Sequence, residues 1–424
     1  MSKPISLKNG ARLFLVPFAG TEAATLLVLF KVGSRYETPE LNGASHFIEH
    51  LMFKGTKRRP NTLALTRALD AVGAEYNAFT GKDYTGYYVK IDAAHLPLAA
   101  DLLHDMLFHS LYAPAEMDRE RTVIMEEINM YRDNPIMRVD DLLEGAMFKG
   151  STLGWEIAGS HETMRAMRRD EIIAYRDRHY VPSRMVVAVA GKVPRDARAL
   201  IEKTFGQVKP GDGRPEPFAP FPGRAPEAEP RFNVEFKDVK QVQLALGFPS
   251  YGVADKRNPA AALLAAILGG TMSSRLFISV RERKGLAYSV RASNGTYEDV
   301  GTFVVQAGLD KTRLAEAMKT IRAELKAIRT KGVTPKELRE AKENARGRLM
   351  LKLEDSSDRA DWYARQELFL DKAETPEGRL HEIERATAAQ VRAAAKDILN
   401  ERNMTVAAIG PFRDVAEFRA AAGM

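Results

Sequence analysis

The order of structural signals in the first 208 residues recurs after residue 230, and this repeat limits what the chain can fold into more than any other feature. ATLLVLFKVGSRYETPELNGASHFIEHLMFKG, from Ala24, is matched by VQLALGFPSYGVADKRNPAAALLAAILGG, from Val242. Each reads as an alternating apolar strand, a turn-rich loop and a helix ending in glycine. FTGKDYTGYYVKID, from Phe79, pairs with SNGTYEDVGTFVVQAG, from Ser293, and both read as a turn followed by a strand. Two helices follow in each half, the second entered through proline: APAEMDRERTVIMEEI after Tyr112, and TPKELREAKENARGRL after Val333. Thr334, Pro335 and Glu337 spell a capping box with proline at the first helical position. Both halves close on a β-branched strand, VPSRMVVAVAGKV from Val181 and NERNMTVAAIGPF from Asn400. Between them, seven of the 21 prolines crowd into Pro210–Pro230, where neither helix nor central strand can form. The expected fold is α+β: two tandem homologous domains, each an antiparallel sheet backed by helices, over 1–208 and 231–424, joined by a Pro-rich linker over 209–230.

Composition narrows the chemistry. The 424 residues contain no cysteine, which excludes disulfides, thiol nucleophiles and thiolate metal sites, so a metal here must be held by His, Asp or Glu. With 63 Lys plus Arg against 56 Asp plus Glu the net charge is +7, but the basic residues are interspersed with acidic ones. That pattern gives no reason to expect a nucleic-acid partner. The longest apolar runs, such as Ala23–Phe30, fall far short of the roughly 20 residues needed to cross a bilayer, so no membrane-spanning helix is expected. The opening MSKPISLKNGARLFLVPF lacks an apolar export signal, and the expected location is cytoplasmic, or periplasmic if this is a processed form.

The chemistry concentrates in His46-Phe47-Ile48-Glu49-His50. The two histidines are four residues apart on a predicted helix, one turn apart on one face, so both imidazoles can reach one metal ion. Glu49 lies three residues after His46 on the same face. Catalytic zinc needs three protein ligands and an open position, and Glu120 and Glu127, two turns apart on a second predicted helix, both offer a carboxylate. Of the adjacent pair Glu126 and Glu127, one must face away. His95, His104, His109, His161, His179 and His381 lack ligand spacing and read as surface or core residues.

H-x-x-E-H is the zincin string in inverted order, and with the spacing that follows it the chain resembles the pitrilysin and mitochondrial processing peptidase family of zinc metallopeptidases, in its two-domain bacterial form. The resemblance spans essentially the whole chain and implies the LuxS/processing-peptidase fold. In that family the third ligand is a glutamate about 77 positions after the second histidine, with another glutamate seven residues before it, which here are Glu127 and Glu120. The resemblance thus implies His46, His50 and Glu127 as ligands of one Zn(2+) per chain, Glu49 as general base and Glu120 as an outer carboxylate. It also implies that Asn77, Ala78 and Phe79, with Thr80 after them, lie on an edge strand to which a peptide substrate adds. Arg281 and Tyr288, within GGTMSSRLFISVRERKGLAYSV, are implied to contact substrate. Read without the family, these two are a surface Arg on a helix and a core Tyr at a strand end.

Laying the second copy over the first sets Ala261, Leu264 and Ala265 opposite the H-x-x-E-H residues and Arg348 opposite Glu127, and none of these ligates zinc. The expectation is therefore a zinc endopeptidase whose second domain holds substrate, working within an enclosed chamber. Because the family encloses substrate with four such domains and this chain has two, a homodimer is expected. The competing arrangements are a heterodimer with a non-catalytic homologue and a purely structural subunit.

Overall fold

A computed structural model describes residues 3–211, 218–223, 231–370 and 374–424. The chain forms two compact units, each with its own sheet and core. One comprises Met1–Asn129, Trp155–Phe218 and Met350–Thr375, and the other Met130–Gly154, Ala219–Leu349 and Pro376–Met424. The longer helices include α1 (Ala44–Met52), α2 (Leu96–His109), α3 (Pro114–Asp133), α4 (Pro135–Met147), α5 (Arg169–His179), α6 (Asn258–Gly269), α7 (Leu314–Lys331), α8 (Pro335–Lys352), α9 (Ser356–Leu370) and α10 (Ala388–Ile398).

The first unit has a six-stranded sheet in the order β1-β2-β6-β3-β5-β4. Its strands are β1 (Ile5–Ser6), β2 (Arg12–Pro17), β3 (Ala23–Phe30), β4 (Glu75–Thr80), β5 (Thr85–Asp92) and β6 (Met185–Gly191). The second unit has a five-stranded sheet in the order β7-β11-β8-β10-β9, built from β7 (Arg231–Phe236), β8 (Gln241–Tyr251), β9 (Ala287–Thr296), β10 (Val300–Asp310) and β11 (Thr405–Gly410). The expected antiparallel pairing is found except at one place in each sheet, where β2 runs parallel to β6 and β7 parallel to β11. In both cases the closing strand of the half returns between the opening strand and the next one, which repeats the same topology in the two halves.

The alternating pattern expected of β3 gives way to continuous burial. β3 is buried from Ala24 to Phe30, and all seven residues of β6 are buried. The reason is that both faces of each sheet are covered. In the first unit, Leu26, Val28 and Tyr87 face Phe47, Ile48 and Leu51 of α1 and Ile124 of α3. On the opposite face, Phe14, Leu27, Leu29 and Ala188 pack against Ala360, Ala364 and Leu368 of α9. In the second unit, Leu246 and Phe303 share a core with Leu264 of α6, Ile321 of α7 and Val391 of α10. The other face there is covered by Val139, Leu142 and Leu143 of α4, against Ala245, Ala407 and Ile409.

Each half thus lends one helix to the other half's sheet. The compact units differ from the contiguous halves read from sequence because α4 and α9 each bury an apolar stripe on a sheet about 100 residues away or more, at roughly 1.5–3 kcal/mol per fully buried large side chain. Most of the Pro-rich segment lies outside the described residues. Of its described part, Phe218 stacks on the Arg35 guanidinium at 3.6 Å in the first unit, and Phe221 packs edge-on to Phe148 at 5.1 Å in the second.

One of the histidines away from the motif carries a stability prediction. His179, at the end of α5, is 4% exposed and stacks on Tyr175, with the Arg184 guanidinium donating to its Nδ1 at 3.3 Å. Burial, with Arg184 and Arg178 nearby, lowers its pKa from 6.5 to about 3. The unfolded chain therefore binds this proton more tightly than the folded one. The stability gained from the neutral ring is full above pH 6.5 and is lost progressively as pH falls toward 3, by about 2 kcal/mol at pH 5. Chemical denaturation of the wild type and His179→Gln at several pH values should show a shallower acid slope in the variant. Equal slopes would contradict it.

Candidate metal centre

α1 starts at a glycine because the chain has no room for anything else. Gly43 has φ +102°, and a Cβ there would lie 2.7 Å from the Ala158 carbonyl oxygen. From this start, Phe47, Ile48 and Leu51 enter the core while His46, Glu49 and His50 share the opposite, half-buried side. α3 crosses nearby with Ile124 and Ile128 in the core, which fixes its rotation so that Glu120 and Glu127 face α1. Glu126 is exposed.

Three donor atoms converge. Oε2 of Glu127 lies 3.6 Å from His46 Nε2 and 3.5 Å from His50 Nε2, and one donor atom from each of the three residues falls within 4.8 Å of the others. Atoms bound about 2.0–2.1 Å from a tetrahedral zinc are about 3.4 Å from each other, so the three residues fit that ion with little adjustment. Among the described residues no other group of His, Asp and Glu meets this criterion. The equivalent positions in the second unit, Ala261, Leu264 and Ala265, are core residues of α6, and Arg348 of α8 donates to the Gly270 carbonyl at 2.9 Å.

The surroundings tune the donors. Burial, reinforced by the neighbouring His50, lowers the His46 pKa from 6.5 to about 4, which keeps the ring neutral with a lone pair to give. For His50 burial acts the same way, but the carboxylates of Glu127 and Glu120 outweigh it and the pKa is raised. Glu120, 3% exposed, accepts from His50 Nδ1 at 3.1 Å, and Lys54 Nζ donates to its other oxygen at 2.6 Å. With the proton on Nδ1, the Nε2 lone pair is left free for a metal ion beside Glu127, the carboxylate–histidine arrangement that fixes the tautomer of a metal-binding histidine. Glu49 sits beside the triad. Burial raises its pKa, while the Thr80 hydroxyl, donating to Oε2 at 2.6 Å, lowers it.

Thr80 ends β4, the terminal strand of the first sheet, so the same strand that holds Glu49 presents an edge. Asn77 is exposed, with Oδ1 accepting from the Ala78 amide. Ala78 pairs with Tyr87 of β5, and the Phe79 ring covers Gly86, where a Cβ would meet it at 2.3 Å. In the second unit, Arg281 lies on a π-helical turn over Phe277–Glu282, its guanidinium 4.9 Å from the Phe277 ring and 5.4 Å from that of Tyr288. Tyr288 is 74% exposed, so the reading of it as a core residue fails. The sequence reading missed Lys54, and it placed Thr80 on the edge strand without its bond to Glu49. Lys54 stands four residues after His50, a spacing that could have flagged it, whereas nothing local marks the Thr80 bond.

Residues 15–161 match the model of the family described as "Insulinase (Peptidase family M16)", and residues 166–345 match "Peptidase M16 inactive domain". A Bacillus subtilis protein named as an uncharacterized zinc protease, YmxG, is 36% identical over 97% of this chain and 98% of its own length. A similarly named protein of Streptomyces coelicolor is 38% identical over 96% of this chain and 89% of its own. The crystal structure of a protease from Helicobacter pylori superposes with a TM-score of 0.91 at 25% identity, covering 97% of this chain and 99% of that one. A Pseudomonas fluorescens structure titled as a peptidase M16 inactive domain shares the fold, with a TM-score of 0.87 at 19% identity over 97% and 98% of the two chains. The M16 models together span most of the chain and its relatives align from end to end, so the chain belongs to peptidase family M16.

Proposed function

We propose that this chain is a zinc-dependent endopeptidase that hydrolyses peptides or unfolded polypeptide segments in an enclosed chamber. The observation that carries this reading is the convergence of His46, His50 and Glu127, with Glu49 beside them and an edge strand tied to Glu49 through Thr80. Relatives named as zinc proteases support its zinc-protease part.

His46 and His50 through Nε2, and Glu127 through a carboxylate oxygen, would hold the ion. Zinc bound there supplies a Lewis acid for the scissile carbonyl and makes water more acidic. The remaining roles belong to the protein. Lys54 and Glu120 keep His50 in the donating tautomer. Glu49 takes a proton from water as the water oxygen bonds to the carbonyl carbon, then passes that proton to the amine nitrogen as the C–N bond breaks. The substrate backbone adds to the β4 edge along Asn77, Ala78 and Phe79 through main-chain hydrogen bonds. Arg281 and Tyr288 hold the substrate or its developing oxyanion from the second domain. That domain has apolar residues where the ligands stand in the first, which suits a holder of substrate.

In this reading two copies form a homodimer in which each zinc site is completed by the partner's Arg281 and Tyr288. Equal amounts of inactive Glu49→Gln and Arg281→Ala protein, allowed to exchange subunits, should regain roughly a quarter of the sites by random pairing. Exchange demonstrated by mass, with no recovered activity, would argue against sites shared between copies. If a different, non-catalytic chain is the partner, the purified chain alone will be nearly inactive at any concentration.

A further inference from the structure

The start of α1 is held by a residue outside the motif. α1 has no cap of its own, since its N-cap is Gly43 and no side chain there can accept the first amides. Glu37, six residues earlier and 5% exposed, fills that role from a distance. Its Oε2 accepts from the Gly43 amide at 2.8 Å and from Asn42 Nδ2 at 3.0 Å, and its Oε1 accepts from the Ser45 amide at 2.7 Å. Both oxygens face N–H donors, a geometry that fits the carboxylate. Burial raises the pKa of this carboxyl, and the bonds from Ser45, Gly43 and Asn42 offset only part of that rise. Asn42 also donates to the Glu156 carbonyl at 3.0 Å, so one side chain clamps the 37–43 loop, the 156–159 segment and the first turn of α1 together.

His46 follows Ser45 directly, and Glu49 and His50 stand about one turn further on. A nine-residue helix fixed at its first turn has its rotation and axial position set there. Charge-assisted bonds to backbone amides are about twice as strong as neutral ones, and a negative group also suits a helix N-terminus.

We infer that Glu37 is a positioning residue for the metal centre: its carboxylate caps α1 from the preceding loop and sets the direction in which His46 and Glu49 point. The inference rests on the zinc reading of the site.

The test compares Glu37→Gln, Asn42→Ala and, as a control, Thr387→Ala, which removes an ordinary cap from α10 in the second unit, where Oγ1 accepts from the Gln390 amide at 3.2 Å. Three quantities are read: zinc affinity by chelator competition, thermal unfolding of the metal-free protein, and kcat and KM on a peptide at saturating zinc. Gln offers one carbonyl oxygen where two were used, so Glu37→Gln should bind zinc at least 10-fold more weakly, within the 10- to 100-fold range typical of lost outer contacts. Its kcat should fall while KM stays within about twofold, since the β4 edge is untouched. Asn42→Ala should weaken zinc by a smaller factor in the same direction. Thr387→Ala should lower the melting temperature without changing zinc affinity. A Glu37→Gln protein that melts earlier yet binds zinc like wild type would make Glu37 an ordinary structural cap and overturn the inference. If Glu37→Gln does not fold, unchanged zinc affinity in Asn42→Ala overturns it instead. A wild-type protein that takes up no zinc fails earlier, at the reading of the site itself.

Discussion

Glu49→Gln is expected to keep its zinc and to lose cleavage by a factor on the order of 10³, within the 10²–10⁴ usual for a general acid–base group. The substitution preserves volume and leaves His46, His50 and Glu127 in place, since Glu49 is not one of the three converging donors. An amide cannot take a proton from water at neutral pH, so both proton transfers assigned to Glu49 stop. Metal content by mass and single-turnover hydrolysis of a mixed peptide library measure the two halves of the claim. Cleavage within tenfold of wild type would remove Glu49 from the chemistry, and lost zinc would make it part of the ligand set. A companion variant sharpens the assignment. The Thr80 hydroxyl lowers the Glu49 pKa, so Thr80→Val should raise it further. The base works only when deprotonated, so the acid limb of kcat should move to higher pH in Thr80→Val, with KM little changed.

The parts of this site that could be read from the sequence are those set by local periodicity. His46, Glu49 and His50 share a helix face whatever surrounds the helix, and the capping bonds between Thr334 and Glu337 form within one turn, as the spelling predicted. Glu127 could be placed only by resemblance, because spacing alone left Glu120 and Glu127 equivalent. The structure separates them by depth: Glu120 reaches the far nitrogen of His50 while Glu127 faces the near nitrogens of both rings. The bonds of Lys54 to Glu120, of Thr80 to Glu49 and of Glu37 to the start of α1 stayed hidden because each crosses to another element or over a loop, where tertiary packing decides who meets whom. The same limit applies to the fold. α4 and α9 are ordinary helices in sequence, and nothing in their own residues says which sheet they cover. The spelling of β3, apolar but for Thr25, did carry the information that both sheet faces are buried, but in a form that also reads as alternation. Exposure of Tyr288 beside Arg281 was likewise beyond a sequence that spells Leu-Ala-Tyr-Ser-Val at a strand start.

Glu127→Gln should cost the protein its zinc rather than its fold. Zinc sites with four ligands bind with roughly 10–16 kcal/mol, or about 2.5–4 kcal/mol per ligand, so weakening one of three protein ligands should reduce affinity on the order of 10²- to 10³-fold. Charge adds to this. Glu127 is the one anionic member of the triad, and the nearby Glu120 carboxylate is already paired with Lys54. The neutral amide therefore leaves a dication facing two neutral imidazoles. Glu127 is half-buried rather than part of the core, and the metal-free variant should unfold close to the metal-free wild type. His50 changes as well: with Glu127 neutral, one of the carboxylates that raise its pKa is gone, and that pKa should fall. The variant separates two meanings of the cluster that geometry alone leaves joined. If His46, His50 and Glu127 merely form a hydrogen-bonded polar knot, Glu127→Gln changes stability and leaves metal uptake at the wild-type level. If they are ligands, zinc titration shows the loss, wild type stripped by a chelator matches the variant's inactivity, and restored zinc revives only the wild type.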